Sequence, residues 1–169
     1  MFEELFREAR KNYDQGEYVA AIAKLTQIID SDSKNGRKKS ASAYQLRGLS
    51  YIKMNDNYEA AEKDFQTALE LEPENPYILS DMGCLEHKKG NYREAVSFFD
   101  RAIELNPDNY ITYLNKVYTL ERSQKYREAL DILPVICNLR ENKGLGEDPE
   151  ITKMRLWFEK QIELDGRIS

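Results

Sequence analysis

The chain has 169 residues, a length that fits one domain or one short repeat array and that supplies enough apolar side chains for a core. Hydrophobic residues make up 41% of the sequence and charged residues 33%, a balance that suits a folded soluble protein better than a disordered one. The net charge of -5 argues against nucleic acid as the main partner, because phosphate binding needs concentrated Lys and Arg.

The sequence pattern shows no export or membrane signal. The N-terminal stretch Met1 to Arg7 carries acids where a secretory signal would carry basic residues. No apolar run approaches the roughly 20 residues that span a bilayer. Cys84 and Cys137 are too few for a disulfide framework and lack the spacing of a zinc ribbon. We therefore expect a cytoplasmic protein without membrane insertion.

One pattern recurs four times along the chain, a tyrosine followed three residues later by an alanine. Successive alanines are 40, 34 and 34 residues apart, so the last three copies keep one strict period. Apolar residues follow four and seven positions after each alanine, which places them on one helix face. These second helices carry Tyr18, Ala21, Leu25 and Ile28; Tyr58, Ala61, Phe65 and Ala68; Tyr92, Ala95, Phe99 and Ala102; Tyr126, Ala129, Leu133 and Ile136.

A small or modest residue stands twelve or thirteen positions before each repeated alanine, inside another amphipathic stretch. These residues are Ala9, Gly48, Gly83 and Val117. A small side chain lets two helices cross closely, although Gly costs about 1 kcal/mol in helix propensity. The sequence thus predicts a first helix before each second helix, joined by polar turns at 15–17, 55–57, 89–91 and 123–125.

The central copies resemble the tetratricopeptide repeat signature in Gly48, Tyr51, Ala61, Phe65, Ala68 and Pro73, and again in Gly83, Ala95, Phe99, Ala102 and Pro107. The resemblance implies an all-α fold, an α-solenoid of about four helix-turn-helix repeats in a right-handed superhelix. It places the repeats at about 2–35, 41–75, 76–109 and 110–143, within a single domain over 1–169.

The outer copies depart from the signature. The first lacks the closing proline and leads into the polar stretch Ser31 to Ser40. The last has Val117 in place of glycine and carries Pro134 within its second helix, where proline removes a backbone donor. We predict a kink or an early break of the helix at Pro134.

A final helix is predicted over about 148–164, because Asp148 and Pro149 read as a helix cap and a first-turn proline. Its apolar stripe would cover the exposed end of the stack, as terminal repeats require. Trp157 stands off that stripe, and contact with a partner is the alternative to a simple cap. The stripe consists of Ile151, Met154, Phe158 and Ile162.

In the proteins that this chain resembles, the first helix of each pair lines a concave groove that binds protein ligands. Packing between repeats is the competing interpretation for any single residue on these helices. Carried onto this sequence, the candidate protein-binding or peptide-binding residues are Phe6, Arg10, Tyr13, Gln45, Leu49, Ile52, Tyr77, Ser80, Cys84, His87, Leu114, Tyr118 and Glu121.

One subfamily binds acidic chaperone tails through a clamp of Lys, Asn and Arg donors. The matching positions here hold Phe6, Arg10, Leu46, Tyr77 and Asp81, so most of the donors are missing. The sequence therefore disfavours an acidic tail and favours a ligand with apolar anchors.

Other chemistry is weakly supported. Cys84 and His87 share a helix face, but a stable zinc site needs four ligands, and a nucleophile pair lacks a third orienting group. The stretch 144–146 lacks the residues of a phosphate loop. We expect no enzyme activity, no metal and no cofactor. The basic residues Lys34, Arg37, Lys38 and Lys39 read as a solvated linker, with an acidic partner as the alternative.

The leading functional hypothesis is an adaptor that binds a peptide or helical segment of a client protein in its groove, as a chaperone or assembly factor. The alternative is a structural protein that self-associates, for example as a homodimer, through its end repeats or its last helix.

Overall fold

The computed structural model describes residues 2–34, 40–55 and 57–168. Over these residues the chain forms nine α-helices and no strand, in an order of four pairs and a final helix. The chain divides into two compact units, residues 1–85 and 86–169, and the boundary falls inside the fifth helix. The helices are α1 (Phe2–Asp14), α2 (Tyr18–Lys34), α3 (Ala41–Asn55), α4 (Tyr58–Leu71), α5 (Pro76–Lys89), α6 (Tyr92–Leu105), α7 (Tyr110–Arg122), α8 (Tyr126–Asn142) and α9 (Pro149–Ile168).

The core of unit 1 is built from the helix stripes that the repeat pattern predicted. Leu25 and Ile28 of α2 are buried together with Ala9 of α1 and Leu46 of α3. Neighbouring helices in the sequence pack on each other, α1 on α2, α2 on α3 and α3 on α4. Burial of these apolar stripes is the main source of stability, since each buried aliphatic side chain contributes about 1.5–3 kcal/mol.

Gly48 of α3 lies directly against the Phe65 ring of α4. A Cβ atom at this position would lie 2.7 Å from Cε1 of the Phe65 ring, and Phe65 is fully buried. Carbon atoms in contact normally sit about 3.5–4.0 Å apart, so a side chain at position 48 would displace the ring. The glycine of the repeat signature is therefore a packing requirement at this crossing.

A buried ion pair joins three helices of unit 1. Arg47 of α3 donates from Nε and Nη2 to the two carboxylate oxygens of Asp64 in α4, at 2.8 and 2.7 Å. Its Nη1 also donates to the Thr26 hydroxyl of α2 at 3.0 Å. The planar guanidinium matches the carboxylate in a bidentate geometry, which satisfies an acid that is otherwise withdrawn from water.

Three of the turns that join the two helices of a pair share one backbone design, and the turn from α8 to α9 repeats it at Gly144. In the first turn the Gly16 N–H donates to the Tyr13 carbonyl and the Glu17 N–H donates to the Asn12 carbonyl, at 3.0 and 2.8 Å. This pair of bonds defines a Schellman motif, whose central residue takes a left-handed conformation. Gly16 and Gly90 have φ of 79° and 85°, and Gln124 holds the same place at 61°.

The early break predicted at Pro134 is wrong, because α8 runs without interruption from Tyr126 to Asn142. Pro134 is exposed, whereas Leu133 and Ile136 beside it are fully buried. Packing of these neighbours offsets the lost hydrogen bond, a tertiary effect that overrides the local preference of proline. A kink at this position stays a prediction.

The final helix α9 begins as predicted and ends later, at Ile168 instead of about residue 164. The Asp148 side chain accepts a hydrogen bond from the Glu150 N–H at 3.0 Å, which caps the helix start. Ile151 and Phe158 are buried against Val117 and Leu133 of α7 and α8, with Met154 packed beside them. This stripe covers the apolar face of the last repeat, so α9 caps the array.

Some expectations fall outside the described part of the chain. The basic residues Arg37, Lys38 and Lys39 lie there, as does Asp56 of the second turn. Among the helices that are described, none has both the length and the apolar character required to cross a bilayer.

Candidate protein-binding site

The first helices of unit 1 present polar side chains to one another. The Nε2 of Gln45 on α3 donates to Oδ2 of Asp81 on α5 at 2.6 Å. Burial raises the pKa of Tyr13 on α1, and the charges of Tyr18 and Asp81 raise it further. We call the surface formed by Tyr13, Gln45, Tyr77 and Asp81 the first-helix face of unit 1.

Asp81 is the residue of this face that the candidate set omitted. Burial raises the pKa of its carboxyl group to about 6, against the lowering effect of the Gln45 hydrogen bond. Within the described residues no cation pairs with it. The available signal was its position, four residues after Tyr77 and one after Ser80 on the same helix.

The predicted residues of α1 divide between core and surface. Phe6 and Tyr13 are partly buried and pack against the core of unit 1. The Tyr13 ring also meets the Tyr18 ring edge-on, with centroids 5.6 Å apart. Arg10 is exposed, and its Nε lies 3.8 Å from Oδ1 of Asp14. Of the three predicted residues on α1, Arg10 is therefore the one whose side chain is exposed, and the two rings are only partly accessible.

The predicted residues of α3 and the first part of α5 differ in exposure. Leu49 is partly exposed and Tyr77 is 58% exposed, so both offer apolar contact area. Ile52 is only 7% exposed and contributes little surface, as the packing interpretation expects. Ser80 and Cys84 are partly buried.

His87 on the last turn of α5 is tied into unit 2. Its Nδ1 lies 2.8 Å from the Thr119 hydroxyl, which donates its own proton to the Asn115 carbonyl at 2.8 Å. Nδ1 must therefore carry a proton and donate, which leaves Nε2 as the acceptor of the neutral ring. Burial lowers the pKa of His87, and the charges of Arg122 and Lys88 lower it further.

The predicted residues of α7 differ in exposure, and Glu121 among them lies beside α9. Tyr118 is 45% exposed, while Leu114 packs against the core of unit 2. Glu121 lines a cavity of about 300 Å³ together with Lys153, Met154, Trp157 and Phe158 of α9. The Trp157 ring meets the Tyr126 ring edge-on at 5.2 Å and still has an exposed surface. Trp157 is thus part of the cap packing and also available to a partner.

The described side chains contain no group of three or more His, Cys, Asp and Glu residues arranged to hold a metal ion. The Thr119 hydroxyl already uses Nδ1 of His87, and that hydroxyl in turn donates to the Asn115 carbonyl, so the ring belongs to a structural hydrogen-bond chain.

Sequence-family comparison decides the classification. Models described as tetratricopeptide repeat match residues 41–75, 76–109 and 98–131, which together extend over more than half of the chain. The chain belongs to the tetratricopeptide repeat family. Comparison with curated protein sequences gives no match.

Solved structures of similar fold support the same class for this tetratricopeptide repeat protein. A MamA structure, AMB-1, has 18% identity and a TM-score of 0.73, over 96% of this chain and 82% of that one. The Cut9–Hcn1 hetero-tetramer of the APC/C contains a chain with 18% identity and a TM-score of 0.75, matched over 98% of this chain and 31% of that one. At such identities the likeness concerns the fold alone, an all-α repeat solenoid.

Proposed function

We propose that this tetratricopeptide repeat protein binds a peptide or helical segment of a client protein on its first helices and performs no catalysis. The observation that carries the proposal is the first-helix face of unit 1, where the exposed Tyr77 lies four residues before Asp81, which forms a partly buried polar pair with Gln45. Protein interfaces combine such aromatic anchors with a few directed hydrogen bonds. Tyr118 of α7 supplies a second exposed aromatic residue, in unit 2.

The test is capture of clients from native lysate, followed by affinity measurement with purified variants. Leu49→Arg and Tyr118→Ala together should weaken client binding by at least about tenfold, because interface anchors often contribute 2 kcal/mol or more. Val19→Arg is the matched control, since Val19 lies on a second helix and is 70% exposed. Unchanged affinity in the folded double variant would refute the assignment of the first helices.

Self-association is the second candidate function, and α9 is the element that favours it. Leu156 is 62% exposed on this helix, and Trp157 and Leu164 are also exposed. Exposed apolar residues on a terminal helix favour pairing with another chain. Light scattering across a concentration series would reveal a dimer that Leu156→Glu abolishes and Thr152→Glu, at another exposed position of α9, preserves. A monomer mass at every concentration would exclude this function.

A further inference from the structure

We infer that the first-helix face of unit 1 takes a partner segment carrying a lysine or arginine side chain, which Asp81 and Tyr77 would hold together. This inference rests on the proposed function and specifies the chemistry of the partner. This partner differs from the acidic tails that the clamp subfamily binds, because the carboxylate of Asp81 attracts a positive charge.

The Asp81 carboxylate has acceptor positions that no described donor fills. A carboxylate offers about four acceptor positions, and Gln45 is the one donor that the described residues bring to it. The side chain is partly buried, so water replaces the missing donors incompletely, and this cost appears as the raised pKa. A cation from a partner would supply both the donors and the compensating charge.

Tyr77 adds an exposed aromatic ring to the helix that carries Asp81. Tyr77 precedes Asp81 by four residues on α5, so the two side chains share one helix face. Tyr77 is 58% exposed and therefore free to cover the stem or the head of a long basic side chain. An aromatic face and a carboxylate on the same surface favour a cation through both cation–π and ionic attraction.

Among the described residues, the other charges near this face leave Asp81 without a counter-ion. Arg10 of α1 is close enough to Tyr13 to act on its pKa, lowering it, and its guanidinium lies 3.8 Å from the Asp14 carboxylate. Asp81 therefore keeps its charge uncompensated while Arg10 has an acid of its own. The chain as a whole carries a net charge of -5, which adds a general attraction for basic partners.

The experiment uses the full chain and a phage-displayed library of random dodecapeptides as the probe. Selection should enrich peptides with Lys or Arg next to an apolar residue. Synthetic copies of the enriched peptides should bind Asp81→Asn at least about tenfold more weakly than the unaltered chain, since removal of a close charge partner costs that much or more. Glu59→Gln is the matched control, because it removes an exposed carboxylate from the second helix α4 of the same unit.

A second measurement separates the ion pair from a loss of structure. Replacement of the basic residue of the peptide by norleucine or citrulline should weaken binding to the unaltered chain, and should have little further effect on Asp81→Asn. Such coupling identifies the two groups as partners. Strictly additive losses would overturn the inference, as would enrichment of acidic peptides. Circular dichroism melting would verify that Asp81→Asn is folded.

The outcomes also distinguish this inference from the proposed function. Peptides that bind this face, lose affinity with Leu49→Arg and contain no basic residue would overturn the inference and leave the proposed function in place. If no selected peptide depends on Leu49 or on Asp81, both are overturned. If the peptides compete with dimerisation of the chain at this face, the occupant is a second copy and the inference fails.

Discussion

The titration of Asp81 should make the stability of unit 1 depend on pH. Its native pKa of about 6 lies above the usual value of 3.8, so between these values the native state holds a proton that the unfolded state releases. The free energy of unfolding should therefore fall as the pH rises from about 4 to about 6, by an amount on the order of 2–3 kcal/mol.

The measurement for Asp81 is urea unfolding across this pH range in the unaltered chain and in Asp81→Asn. Other carboxylates titrate in the same window, so the informative quantity is the difference between the two curves. Because Asn cannot ionise, the free energy of unfolding of Asp81→Asn should increase relative to that of the unaltered chain as the pH rises from 4 to 6. A difference that stays constant with pH would contradict the prediction.

Gly48 offers a second test at the residue scale. Gly48→Ala should lower the free energy of unfolding by about 1–3 kcal/mol, because the added methyl group collides with the fully buried Phe65 ring. On helix propensity alone the same change would stabilise the protein. Denaturant unfolding decides the sign. In a Phe65→Leu background the cost should shrink, since the smaller side chain leaves room.

At the scale of elements, the turn before α8 contains a residue that does not suit its conformation. Gln124 has φ of 61° at the place where Gly16 and Gly90 occur in equivalent turns. Gln124→Gly should raise the free energy of unfolding by about 0.5–1 kcal/mol, as the left-handed conformation has no steric cost for glycine. A thermal melt measures this gain.

The control for the turn prediction is the reverse change, Gly90→Gln, which should destabilise the protein by a similar amount. No atom lies within 4 Å of a Cβ built at Gly90, so its effect reports backbone conformation and not crowding. Equal stability of Gln124→Gly and the unaltered chain would show that the left-handed residue carries no strain.

The helices could be predicted from the sequence because their signals are local. Each signal acts within a few turns of chain: the three-residue spacing from Tyr to Ala, the stripe through Leu25 and Ile28, and the cap at Asp148. The continuity of α8 through Pro134 could not be predicted from the sequence, because it depends on the burial of Leu133 and Ile136 against other helices.

The candidate site was less accessible to sequence reasoning. The burial of Ile52 and the environment of Asp81 depend on packing between helices, and Gln45 meets Asp81 from 36 residues away. Helical spacing gives the relative positions of residues on one helix but not the neighbours that cover them. The binding role of the first helices stays a prediction.

At the scale of the whole molecule, the chain consists of two compact units, and stability in repeat proteins is close to a sum of local terms. Phe158→Ala removes a fully buried ring from unit 2 and should cost about 3–5 kcal/mol there. Native-state hydrogen exchange should show faster exchange in α7 to α9 and little change in α1 to α4.

The control for this test is Leu156→Ala, which truncates an exposed residue of the same helix and should leave exchange unchanged. A uniform loss of protection in both units after Phe158→Ala would instead show that the chain unfolds in one cooperative step.

The hydrogen bond between His87 and Thr119 has a spectroscopic consequence. His87 is the single histidine of the chain, so its imidazole resonances in a nuclear magnetic resonance spectrum need no assignment by mutagenesis. The Nδ1–H tautomer predicts a distinctive pair of ring nitrogen shifts, and the lowered pKa predicts a titration below the ordinary histidine value. The His87 ring is therefore a single-site spectroscopic probe on α5 for the client titrations proposed above.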